Sequence, residues 1–171
     1  MRCWVRNQVE IIEGNIFNLE AISGKFDYVL AEAILTMQSP LGKAKILAEI
    51  HHLLKQGGKF LSHELLATDK EEQIRVDLAR VILVNSTPLS ETNWITAFLT
   101  AGLQVEKCQT ESMNLLNLRR IFQDEGIFNT IRIFWNVLTQ KDIRKRVLEI
   151  HQVFHKYQQE LGYIILCAVA Q

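Results

Sequence analysis

The sequence predicts an α/β domain built on a mostly parallel sheet, and three observations carry that expectation. Residues 25–66 read strand, helix, glycine turn, strand. Strand-like and helix-like stretches alternate from Gln8 to Cys108. The chain has 171 residues, enough for one domain with a substantial core.

Taken in order, Gln8-Val9-Glu10-Ile11-Ile12-Glu13 alternates like a strand and stops at Gly14-Asn15. Phe26 to Ala31 forms the next apolar run. Ser39-Pro40 then opens a helix, with Ser39 suited to the cap and Pro40 to the first turn. Ile46, Leu47, Ile50, Leu53 and Leu54 give that helix one apolar face, and Gly57-Gly58 is expected to end it. Lys59 to Leu66 follows as a strand. A helix is expected over residues 68–82, with Thr68 and Glu71 at capping-box spacing and Ile74, Leu78, Val81 and Ile82 as its stripe. Asn85 to Pro88 is a loop. Ser90 begins another helix, with Trp94, Phe98 and Leu99 inward, and Ala101-Gly102 ends it. Leu103 to Cys108 alternates as a strand.

The last third is helical in character, with segments near residues 116–124, 128–139 and 141–160. In the third segment Ile143, Val147, Ile150, Phe154 and Tyr157 recur at helical spacing; Ile143, Ile150, Phe154 and Tyr157 are expected to face the core and Arg144, Lys145 and Glu149 solvent. Gly162 closes it, and Tyr163 to Ala170 reads as a final buried strand.

Composition narrows the function classes. Nineteen basic residues balance nineteen acidic ones, which removes any bulk attraction to nucleic acid or anionic membrane. Cys3, Cys108 and Cys167 are few, odd in number and far apart, which argues against a disulfide framework and for a reducing, cytoplasmic setting. The run from Tyr163 to Ala170 is too short to span a bilayer, and Arg2, Arg6 and Glu10 interrupt any signal-type core at the start.

Five motifs in order carry a family resemblance. They are Gly14-Asn15, Phe26-Asp27-Tyr28-Val29, Leu54-Lys55-Gln56-Gly57-Gly58 with Glu64 beyond it, Pro88 to Trp94 leading to Ala101-Gly102-Leu103, and Gly162 to Leu166. Together they resemble the class I, Rossmann-like methyltransferases that use S-adenosylmethionine. The likeness covers about residues 9–108 and 162–170. It implies a sheet whose strands near Phe26, Lys59, Leu103 and Tyr163 pair in the family's order 4-5-7-6, with the last strand antiparallel. It implies a helical cover over about residues 114–160. It implies cofactor contacts at Asn15, Ile16 and Phe17 on the adenine side and at Ala31 and Glu32 near the methyl donor. His63 and Glu64 fall on the substrate side.

Two departures from the pattern stand out. Asn15 replaces the usual acidic residue, and its side-chain oxygen still accepts a hydrogen bond. The acidic, glycine-rich turn of the cofactor site has no counterpart, because the only close glycine pair is Gly57-Gly58. The ribose-binding acid is likewise missing. The chain thus resembles a methyltransferase without its first βαβ unit. The activity implied is methyl transfer from S-adenosylmethionine to a small molecule, impaired here, with weak or absent cofactor binding. The alternative is a non-catalytic remnant that binds or dimerises. With its neighbour missing, the Phe26 strand becomes an open edge. The expected repairs are pairing with Val9 to Glu13 or with a second chain, giving a homodimer.

The remaining signals have plain readings. Asn15 suits a turn with or without a ligand. Glu32 and Glu64 fit solvated strand ends. His151 and His155 have metal-ligand spacing, but Gln152 stands where a zinc protease carries Glu and no third ligand is evident, so no metal site is expected. Cys108 beside Lys107 has one feature of a reactive thiol. Arg144-Lys145-Arg146 fits a solvated helix face or contact with an anionic group. Phe122, Phe128, Phe134 and Trp135 fit either a pocket or ordinary core.

Overall fold

The structure, a computed structural model, describes residues 9–19, 22–82, 85–112 and 139–171. Eight elements follow in the order β1 (Phe26–Glu32), α1 (Pro40–Leu53), β2 (Leu54–Ala67), α2 (Glu71–Ile82), α3 (Glu91–Thr100), β3 (Leu103–Ser112), α4 (Lys141–Lys156) and β4 (Leu161–Ala170). The expected segment at 116–124, and that at 128–139 except for Thr139, lie outside the described residues.

The four strands form one sheet in the order β1-β2-β4-β3. β1 and β2 are parallel, and β4 runs antiparallel to both β2 and β3. This is the order and the antiparallel final strand expected from sequence. The β1–α1–β2 unit explains the parallel pair, since a crossover helix is what lets a second strand return in the same direction.

Side chains alternate across the sheet and sort into two clusters. Phe60, Leu66, Ile164, Leu166 and Ala168 point to the face covered by α1 and α3, where they meet Ile46, Leu47, Ile50, Trp94 and Phe98. Phe60 stacks on Phe98 at 5.3 Å between ring centroids, a separation that favours aromatic pairs. On the other face, Ala67 and Leu161 join α2 and α4 through Ile74, Leu78, Val153 and Tyr157. Asp77 ties these two helices together, accepting from Lys156 Nζ at 2.7 Å and Tyr157 Oη at 2.9 Å. Those donors hold its carboxyl below the ordinary carboxylate range.

Both predicted serine caps form. Ser39 Oγ accepts from Gly42 N at 3.2 Å, and Ser90 Oγ accepts from Asn93 N at 3.4 Å. Several other expectations are corrected. Val9 to Glu13 pairs with no strand, and Val9, Ile11 and Ile12 are exposed. Alternation alone gave that stretch no face to bury, so the expected pairing of Val9 to Glu13 with β1 is not found among the described residues. Helix α1 ends at Leu53, ahead of the glycine pair. Gly57 instead takes φ 75° inside β2, and at Gly58 a Cβ would come within 2.9 Å of Phe26 O. Gly58 thus serves close strand approach and Gly57 a left-handed turn of the backbone, rather than a helix stop.

The Thr68–Glu71 capping box does not form. Glu71 Oε1 accepts from Ser90 N at 2.7 Å and Asn93 Nδ2 at 2.8 Å, so it holds the start of α3, and Thr68 donates to Glu160 O. Leu99 is exposed at 46% and Ile143 at 38%. On α4 the burial falls on Val153 and Tyr157, with Ile150 and Phe154 only flanking them. That helix touches the domain through its C-terminal half, so its early apolar positions meet no partner among the described residues. Gly162 lies within β4, where a Cβ would stand 2.4 Å from Glu111 O.

Candidate functional site

The carboxyl ends of parallel strands are where α/β sheets place ligands. Here β1 ends at Glu32, directly opposite His63 on β2. His63 Nδ1 lies 3.7 Å from Glu32 Oε1, and its ring packs edge-on against Tyr163 at 5.1 Å. The Glu32 side chain is 83% exposed and that of His63 46%. Ala33 then turns the chain at φ 54°, with its N–H donating to His63 O at 2.8 Å.

Residues 33–39 fold back over β2, and Glu64 holds them there. This carboxylate is buried and accepts four hydrogen bonds. Leu35 N at 3.2 Å and Ser62 Oγ at 2.9 Å reach Oε1; Thr36 N at 2.7 Å and Thr36 Oγ1 at 2.6 Å reach Oε2. Thr36 Oγ1 also accepts from Leu65 N at 3.0 Å, which commits its own proton to Glu64. Glu64 is therefore an internal anchor for the loop, whereas Glu32 and His63 face outward.

Lys43 does the same work from α1. It is buried, and its Nζ donates to Gln38 O at 2.7 Å, to Thr87 O at 2.8 Å and to Thr87 Oγ1. It also sits 5.5 Å from the Trp94 ring centroid. Burial lowers its pKa to about 8, against the opposing pull of Glu64 and Glu71. Sequence reading missed this residue, although Lys43, Ile46, Leu47 and Ile50 share one face of α1. Beside the stapled loop is a cavity of about 510 Å³, lined among others by Ser39, Pro40, Glu71, Arg75, Thr87 and Leu89.

Asn15, Ile16 and Phe17 form a turn docked on α1. Phe17 N donates to Asn15 Oδ1 at 3.0 Å, and Asn18 N donates to Asn15 O at 2.8 Å. Ile16 and Phe17 are half-buried against the first core, and Leu19 N reaches Glu49 Oε2 at 3.2 Å. Ala31 is half-buried in the same core. The structure thus brings Glu32 and His63 together, buries Glu64 beneath them and sets the Asn15 turn on a neighbouring support.

The tight glycine positions are all filled by the chain itself: Gly58 meets Phe26 O, Gly102 meets the His51 ring, and Gly162 meets Glu111 O. None opens a backbone cradle toward a ligand at the end of β1. Cys108 shows no activated thiol either, because burial and Glu91 push its pKa up to about 11. His151 and His155 stack at 6.1 Å, and no group of three or more His, Cys, Asp or Glu among the described residues is placed to hold a metal. No helix among them is long and apolar enough to cross a membrane.

Comparison with known proteins gives the fold its place. No family model matches the chain. An uncharacterized protein of Haemophilus influenzae is 27% identical over 165 residues, covering 96% of this chain and 65% of its own length. The chain therefore spans less than two thirds of that relative. Among solved structures, the [4+2]-cyclase SpnF matches with TM-score 0.66 at 16% identity, over 96% of this chain and 57% of its own. The cyclopropane synthase MmaA2 from Mycobacterium tuberculosis matches with TM-score 0.63 at 10% identity, over 88% and 57%. A Haemonchus contortus phosphoethanolamine N-methyltransferase, solved with S-adenosyl-L-methionine, matches with TM-score 0.57 at 16% identity, over 85% and 33%. With the strand order β1-β2-β4-β3 and its antiparallel β4, these likenesses show that the chain has the Rossmann-like fold of the class I methyltransferases.

Proposed function

We propose that this chain serves S-adenosylmethionine-dependent methyl transfer to a small molecule, impaired as it stands, and that on its own it holds the cofactor weakly. The observation that carries the reading is the sheet order with β1 ending at Glu32 beside His63, which resembles the methyl-donor side of such sites. A bound cofactor would supply an electrophilic methyl group. What these residues contribute is position. Asn15 to Phe17 form a docked turn on the adenine side, Ala31 and Glu32 end the strand beside the donor, and His63 faces the acceptor side. Glu64 and Lys43 fix the loop that frames it. Chemistry of this kind depends chiefly on aligning two partners, so no dedicated base is required.

The missing glycine turn supports weak binding, since each lost backbone or charge-assisted hydrogen bond removes about 1–3 kcal/mol. Fold alone does not select the reaction, as the named cyclase and synthase neighbours illustrate. The test is amide mapping by NMR at millimolar S-adenosylmethionine. Shifts confined to Asn15, Ile16, Phe17, Ala31 and Glu32 are expected. No shift anywhere, or shifts only elsewhere, would favour the second reading, a non-catalytic module that binds a partner. The observation behind that second reading is the open β1 edge, since β1 pairs only with β2 among the described strands.

A further inference from the structure

Two connections meet beside the outgoing end of β2, in the lane that β1 leaves after Glu32. Ala33 N donates to His63 O at 2.8 Å, Leu65 N to Thr36 Oγ1 at 3.0 Å and Ala67 N to Leu89 O at 3.0 Å. The first two acceptances belong to the loop that follows β1, and the last belongs to the segment that leads into α3. That segment is fixed at its own end. Leu89 forms a parallel bridge with Leu66, and Ser90 N donates to Glu71 Oε1 on α2 at 2.7 Å. The loop is fixed at the other, where Glu64 accepts from Leu35 N, Thr36 N and Thr36 Oγ1.

Thr87 joins the two. Its N–H donates to Thr36 O at 2.8 Å. Its hydroxyl accepts from Lys43 Nζ and has one proton to give, toward Gln38 O or toward Thr36 O at 3.3 Å. Lys43 Nζ also donates to Gln38 O and to Thr87 O, so its three ammonium protons are all spent on these two connections. The buried groups at either end set the directions. Glu64 takes only donors, and the N–H groups of Leu35 and Thr36 turn to it. Lys43 only donates, and the carbonyls of Gln38 and Thr87 turn to the ammonium. Between them the Thr87 hydroxyl both accepts from the cation and donates to the loop, and a methyl group in its place could do neither.

We infer that Thr87 is a positioning residue: its hydroxyl ties the segment entering α3 to the loop leaving β1, and the chain beyond Glu32 keeps its place only while that tie holds. That the placement serves methyl transfer rests on the function proposed above. The tie itself does not, since every group in it belongs to the chain.

Amide hydrogen exchange followed by NMR on the 171-residue chain tests it. In the unmodified protein the amides of the buried residues Leu35 and Thr36 should exchange at least about a hundredfold slower than in an unstructured peptide. Thr87→Val keeps the size of the side chain and removes its hydroxyl. In that variant Leu35 and Thr36 should exchange about tenfold faster or more relative to the amides of β4, as two lost hydrogen bonds imply. Thr87→Ser keeps the hydroxyl and drops the methyl group, and it should leave those relative rates as they are in the unmodified protein. Free exchange at Leu35 and Thr36 in the unmodified protein, unchanged rates in Thr87→Val, or equal acceleration in Thr87→Ser each overturn the inference. The first and last of these can be read even where Thr87→Val does not fold. A failed cofactor titration bears on the methyl-transfer reading alone.

Discussion

Replacing Glu64 by Gln separates an internal anchor from a ligand-facing acid. All four partners of Glu64 donate to it: Leu35 N, Thr36 N, Thr36 Oγ1 and Ser62 Oγ. A glutamine keeps the shape but turns one oxygen into an NH₂ group. Whichever way the amide is turned, a buried backbone N–H, of Leu35 or of Thr36, faces a donor and loses its acceptor. The hydroxyl on the amide side can no longer donate to it, and the two bonds left on the other oxygen lose the carboxylate charge. Bonds to charged groups are worth about 1.5–3 kcal/mol, and an orphaned buried donor costs about 1–3 kcal/mol. The expected destabilisation is about 3 kcal/mol, a large share of a typical stability of roughly 5–15 kcal/mol. In urea, with a slope of about 1–3 kcal/mol/M, the midpoint should fall by roughly 1–3 M. Glu32→Gln is the control, because an 83% exposed carboxylate at 3.7 Å from its partner should change stability by less than about 0.5 kcal/mol. Equal midpoints for Glu64→Gln and wild type would refute the anchoring argument and return Glu64 to the list of ligand-facing acids.

Other consequences follow from the packing. Gly162→Ala should destabilise by about 2 kcal/mol or more in urea unfolding, since its Cβ would sit 2.4 Å from Glu111 O and must push β3 from β4; an unchanged midpoint would contradict that close approach. Tyr157→Phe should cost about 1 kcal/mol by removing the hydroxyl bond to Asp77, and a double-mutant cycle with Asp77→Asn should show coupling. Lys43 gives a pH test with a definite sign. Its folded pKa of about 8 lies below its ordinary value of 10.5, so the unfolded chain binds more protons between those values. The cost of burying the charge is complete below pH 8 and relieved as pH rises. Relative to Lys43→Met, wild type should gain about 1 kcal/mol between pH 7 and pH 9; parallel stability curves would show the amine is not desolvated.

Much of the fold was legible because its signals are local and periodic. Ser39 and Ser90 cap where a serine before an apolar repeat should, and the strands near Phe26, Lys59, Leu103 and Tyr163 pair in the order the motifs implied. What was not legible depends on partners distant in sequence. Val9 to Glu13 alternates like a strand but meets no strand edge. Glu71 has the spacing of a capping box yet bonds Ser90 and Asn93, nineteen and twenty-two positions on. The glycines at 57, 58 and 162 looked like helix stops; Gly58 and Gly162 are close strand contacts, and Gly57 takes a positive φ inside β2. At the site, Glu32 does end β1, but His63 lies inside β2, which runs on to Ala67, and the burial of Glu64 required Thr36 and Ser62 to be seen beside it. Lys43 was hidden because a lysine on an apolar face reads as an interruption until Gln38 and Thr87 supply its acceptors.

The central proposal is that this chain, with its methyltransferase fold, holds S-adenosylmethionine only weakly on its own. Calorimetric titration of the 171-residue chain with S-adenosylmethionine addresses it most directly. The account predicts no saturable heat at micromolar concentrations, because the 171 residues carry neither the family's glycine-rich turn nor its ribose-binding acid. A saturable isotherm with a micromolar dissociation constant, about −8 kcal/mol of binding free energy, would contradict it.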